Sequence, residues 1–191
     1  KYVLAALNSR VAEIFFNAIN PTINLQIRDV KSFPFIFENV DYVEKIVEAN
    51  IELSTSDWDS FETSWGFTRH PLIDDKPSQS SLKDSYFAYK ENANTRFSQL
   101  KINEENLNHF FINIYGLEKE LSSGVSDKDV TVTKVFDGEE QIHESIKGNK
   151  YIMTKTDVIK SLLSYAVGCI LGRYSLDVEG LAYAGGAWDS S

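Results

Sequence analysis

The feature that most constrains this sequence is a four-residue apolar repeat near its C-terminal end. Val158/Ile159, Leu162/Leu163, Ala166/Val167 and Ile170/Leu171 recur in step. Apolar pairs at this interval have the period of a helix, whereas a strand would send neighbours to opposite faces. The spacing predicts a helix buried over a wide face, capped by Thr154 and Asp157. The longest nearly apolar run, residues 161–172, is too short for a bilayer and is bracketed by Lys160 and Arg173. No membrane span is therefore expected.

Helical spacing recurs elsewhere. Leu4, Leu7, Val11, Ile14, Phe15 and Ala18 form one stripe, stopped at Asn20-Pro21 because the proline ring disfavours helix before it. Residues 22–27 alternate polar and apolar, which predicts a short half-exposed strand. A helix is predicted over 41–53, with Val43, Ile46, Val47 and Ile51 inward and Glu44, Glu48 and Glu52 on a solvated face. Ser56 and Asp59 resemble a capping box opening a short helix, with Trp58, Phe61 and Trp65 on one side. That trio is expected to be a packed anchor; a platform for stacking nucleobases is the functional alternative. After a loop over 73–81 comes a helix-tolerant stretch, 82–100. Asn103 is then expected to cap a separate helix carrying Leu107, Phe110, Phe111, Ile114 and Tyr115, ended by Gly116. Val130 and Val132 alternate with Thr131 and Thr133 in a predicted strand over 129–136, with 151–153 as its partner. The fold class read from these patterns is mainly α: a helical domain with one short β-strand near the N-terminus and a small β element near residues 129–153.

Composition narrows the chemistry. The 191 residues carry a net charge of -9, so duplex DNA is repelled by most of the surface. One cysteine, Cys169, cannot form an internal disulfide, and three scattered histidines give no zinc-type ligand set. There is no Gly-x-Ser-x-Gly elbow, no Walker loop and no His-Glu-x-x-His. Asn20-Pro21-Thr22 lacks the second proline and the aromatic residue of the Asn-Pro-Pro-aromatic signature of amino-methyltransferases. Gly168 and Gly172 are expected to admit another backbone closely, and Gly180, Gly185 and Gly186 to form a flexible turn. No catalytic, cofactor-binding or metal-ligating residue is expected in this chain. The candidate contacts to DNA are the local reversals of charge, Arg28 with Lys31 and Arg69 with His70; ordinary surface cations are the alternative. A start without Met and a Gly-rich end suggest a piece of a longer protein.

Particular stretches also carry a resemblance. Ser56-Asp57-Trp58-Asp59-Ser60-Phe61-Glu62-Thr63-Ser64-Trp65 with Arg69-His70-Pro71-Leu72 resembles a signature of the PglX family, the adenine-specific DNA methyltransferases of BREX phage-defence systems. Asn103-Glu104-Glu105-Asn106-Leu107-Asn108 and Ile114-Tyr115-Gly116-Leu117 resemble a segment this family shares with type IIG restriction-modification enzymes. Val125-Ser126-Asp127-Lys128-Asp129-Val130-Thr131-Val132 is similar to the stretch next along the chain in those enzymes. Ser164-Tyr165-Ala166-Val167-Gly168-Cys169 and Gly172-Arg173-Tyr174-Ser175-Leu176-Asp177 are similar to later parts of it.

The resemblance covers essentially the whole chain. It implies residues 1–37 as a helix and strand closing a target-recognition segment. Residues 38–123 would be a helical region, 124–153 a small β insertion, and 154–191 a buried helix with a Gly-rich tail, together one compact domain. It implies a bacterial cytoplasmic parent that uses S-adenosyl-L-methionine on duplex DNA, with this chain as a non-catalytic segment supporting or orienting DNA recognition. The alternative is an acidic interaction module that docks other BREX components through Glu44, Glu48 and Glu52.

Overall fold

A computed structural model describes residues 1–20, 22, 24–74 and 81–183. Its helices are α1 (Tyr2–Leu7), α2 (Arg10–Ile19), α3 (Ile27–Ser32), α4 (Val40–Trp58), α5 (Pro71–Asp74), α6 (Leu82–Ile114) and α7 (Lys155–Ile170). Two three-residue strands, β1 (Lys134–Phe136) and β2 (Ile152–Thr154), pair in parallel with Val135 opposite Met153. The mainly α reading and the small β element therefore hold.

The N-terminal stripe is split in two by one hydroxyl. Ser9 Oγ donates to the Ala6 carbonyl at 2.7 Å and accepts from the Ala12 amide at 3.3 Å, ending α1 and capping α2 at once. The strand expected over 22–27 is absent among the described residues. Asp29 is the reason. Its buried carboxylate accepts from the Gln26 amide at 2.9 Å and from Asn20 Nδ2 at 2.7 Å, which starts α3 at Ile27 instead. These bonds hold its carboxyl below the ordinary range.

Helix α6 is the spine. The helix boundary expected at Asn103 is not there: α6 runs unbroken for 33 residues, and Asn103 lies buried inside it, donating to Asn50 Oδ1 of α4 at 2.7 Å. Its buried residues serve three cores in turn. Tyr86, Tyr89 and Ala93 pack with Leu72, Val135 and Val158; Phe97 and Leu100 pack with Val130, Val132 and Ile146; Leu107, Phe111 and Ile112 pack with α1, α2 and α4. Its end matches the sequence reading. Gly116 takes a φ of 67°, and the amides of Gly116 and Leu117 close on the carbonyls of Asn113 and Ile112. Of the strand expected over 129–136, only 134–136 forms. Val130 and Val132 are buried as expected, but the chain before Lys134 is held by side chains rather than by a ladder.

Asp57 supplies one of those side chains. It is 4% exposed, and one carboxylate oxygen accepts from both the amide and the hydroxyl of Thr133 at 3.0 Å, while Arg96 of α6 donates to the other at 3.3 Å. Three separate stretches meet there. The short helix expected from Ser56 does not form, because α4 continues through Ser56 to deliver Asp57 to this contact. The following turn closes when Ser64 Oγ donates to Asp59 and accepts from the Gly66 amide. A Cβ at Gly66 would sit 2.5 Å from the Asp59 carboxylate, so a larger residue there displaces that side chain.

Two burial expectations are corrected. Trp58 is exposed and Trp65 fully so; only Phe61 of the trio is partly covered. The wide apolar face of α7 is covered on one side alone, through Val158, Tyr165 and Gly168. Gly168 meets the Tyr174 ring rather than another backbone, and Gly172, at φ 77°, is the residue that ends the helix. Gly185 and Gly186 lie outside the described residues. Replacing Asp57 by Ala should cost about 2–4 kcal/mol in urea unfolding, because the buried amide and hydroxyl of Thr133 lose their acceptor and Arg96 loses its partner. Trp58→Ala and Trp65→Ala should each change stability by less than about 0.5 kcal/mol.

Candidate functional site

An open groove of about 1080 Å³ lies between α4 and α6, closed at one end by residues 66–71. Helix α4 contributes Lys45 and Glu52, and α6 contributes Arg96, Gln99 and Asn103. Arg69 lies at its end and donates to the Leu176 carbonyl at 3.1 Å. Among the described residues no carboxylate pairs with Arg69, whereas Arg96 is committed to Asp57. Gln99 Nε2 donates to Asn103 Oδ1 and Asn103 Nδ2 to Asn50 Oδ1, so the polar groups along this helix face bond largely to one another.

The structure separates the four candidate contacts. Arg28 and Lys31 stand on α3, one turn apart and both exposed, so they share a helix face rather than a loop after a strand. Arg28 Nε lies 3.6 Å from Asp29 Oδ1, while Asn20 and Gln26 both donate to the other oxygen, Oδ2. Arg69 faces the groove. His70 does not: it is 4% exposed, its Nδ1 accepts from the Leu72 amide at 3.2 Å, and its Nε2 lies 3.0 Å from Ser161 Oγ. Ser161 in turn donates to the Val158 carbonyl, so the network fits a ring with its single proton on Nε2. Burial pushes its pKa down to about 4. His70 fastens residues 70–72 to α7 and presents no charge to a phosphate.

A second cleft, of about 870 Å³, lies among α1, α2, α4 and α6 and contains Glu104. Sequence reasoning passed over this residue, although Leu100 stands four residues before it and Leu107 three after it on the same helix. Burial, with Asp129 nearby, pushes its carboxyl up to about 7. Asp57 and Arg96 were also missed, although Asp57 is in phase with the inward Val43 and Val47. Among the described residues no cluster of His, Cys, Asp and Glu could hold a metal ion, and no helix is long and apolar enough to cross a membrane. The junction of β2 with α7 has no loop, since Thr154 ends the strand and caps the helix.

Glu104 makes stability depend on pH. Its folded pKa is raised, so the support from its neutral form is complete below about 4.5 and is lost as pH rises through 7. Glu104→Gln should match the parent at pH 4 and be more stable at pH 8 by on the order of 1–3 kcal/mol, read from urea unfolding at both values.

No family profile matches the chain. Two bacterial proteins are similar along it. The adenine-specific methyltransferase PglX of Lacticaseibacillus casei (strain Zhang) is 36% identical over 193 residues, spanning 100% of this chain and 15% of that protein. The adenine-specific methyltransferase BrxX of Escherichia coli O9:H4 (strain HS) is 34% identical over 183 residues, 95% of this chain and 14% of that protein. With an all-through match to so small a share of each relative, the chain belongs with the PglX-type adenine-specific methyltransferases, as the counterpart of one segment of them.

Proposed function

We propose that this chain is a non-catalytic helical segment of an N6-adenine-specific DNA methyltransferase acting in BREX phage defence, and that it supports or orients DNA recognition. The observation that carries this reading is similarity along the whole chain to about one-seventh of an adenine-specific methyltransferase. The parent would take its methyl group from S-adenosyl-L-methionine, as the family resemblance implies. Duplex DNA would be the substrate, and the spine of α6 with its three cores would act as a rigid beam between parts of the enzyme.

Arg28 and Lys31, exposed on α3, would grip phosphate, with Arg69 in the α4–α6 groove as a third cation. The interaction-module reading draws on Glu44, Glu48 and Glu52. It is the weaker one, because Lys1 Nζ already pairs with Glu48 and Glu52 faces the groove. In the full-length parent, Arg28→Ala with Lys31→Ala should weaken DNA binding equally across sequences and flatten the salt dependence by up to about two units of log–log slope. Unchanged affinity and slope would remove α3 from the DNA interface.

A further inference from the structure

The uncovered side of α7 is a second apolar face. Ile159, Leu163, Val167 and Ile170 stand at intervals of four, four and three, which places them in one stripe over three turns. All four are exposed, Leu163 at 60% and Ile170 at 82%. They lie opposite the side that Val158, Tyr165 and Gly168 bury. From 161 to the end of the helix there is no charged residue at all. The stripe continues in Leu171, 76% exposed, where the Gly172 turn begins. That turn is fixed: Arg173 N donates to the Gly168 carbonyl at 2.8 Å, and the Tyr174 ring packs on Gly168. A helix apolar on two opposite sides has the character of an interior helix, not of a surface one.

We infer that this face of α7 is the docking surface for another stretch of the same polypeptide, an apolar helix or sheet face from outside these residues. This rests on the reading of the chain as a segment of a longer methyltransferase. Two observations choose that occupant over a second copy. Relatives matched along the whole chain are about seven times its length, so most of such a protein lies outside it. The stripe is also small. Five side chains fall well short of the roughly 20–30 residues a side that a stable interface between separate molecules uses. A covalently linked partner avoids most of the entropic cost of association and can be held by so narrow a contact.

The test is cysteine labelling in the full-length protein without DNA, with Leu163→Cys and, separately, Val167→Cys, each in a Cys169→Ser background. Glu144→Cys, on an exposed loop, is the reference in the same protein. Maleimide uptake at each site is read by peptide mass spectrometry. Uptake at 163 and 167 at least tenfold slower than at 144, and unchanged on dilution, is the expected result. Uptake within twofold of the reference would overturn the proposal, and so would protection that vanishes on dilution, which assigns the face to a second copy. The intact mass of the native product separately reports whether the chain continues, so failure of the docking and failure of the underlying reading are told apart.

Discussion

The structure depends on α6 remaining one helix. At 1.5 Å per residue its 33 residues span about 50 Å, longer than most helices in domains of this size. Its buried positions, spaced by three and four, pass from one core to the next, so a break in the middle would uncouple the packing of α1, α2 and α4 from that of β1 and α7. Polar residues inside such a beam need partners. Asn94 brackets the amide and carbonyl of Val135, Asn103 reaches Asn50, and Asn108 accepts from the Arg10 amide and donates to the Ser123 carbonyl. Asn94 and Asn108 thereby satisfy backbone groups of neighbouring stretches, and Asn103 pairs side chain to side chain across two helices.

Charge obeys the same logic. Burial pushes the Asp57 carboxyl upward, while Thr133 and Arg96 pull it back by bonding its ionised form. His70 is buried neutral. Its depressed pKa means its packing is fully supportive above the ordinary value of 6.5, and that support is lost as pH falls through about 4. The residues that look most reactive in the sequence are therefore fasteners, and the exposed cations of α3 and the groove are what remain for a partner.

The helices with clean periodicity were legible from sequence: α4, the later half of α6 and α7 all lie where the spacing puts them, and the caps at Thr154 and Gly116 hold. What was illegible was set by side chains acting at a distance. Nothing local marks Asp29 as the residue that converts a polar–apolar alternation into α3. Nothing local shows that Asn103, a good capping residue, is instead bonded to Asn50. Burial was misjudged where a pattern promises coverage that no part of the described chain provides, as on Trp65 and the outer side of α7. Of the candidate contacts, Arg28 and Lys31 stay exposed and Arg69 half-buried, and among the described residues none has a carboxylate within 3.5 Å. His70 was lost because a ring can be buried where a guanidinium cannot.

The continuity of α6 is measured most directly by amide hydrogen exchange across residues 101–107. In a continuous helix every amide there has a carbonyl acceptor four residues back, and these amides should exchange as slowly as those of Phe97 and Phe111. Fast exchange confined to the three or four amides after Asn103, the signature of a new helix beginning there, would contradict a single unbroken α6.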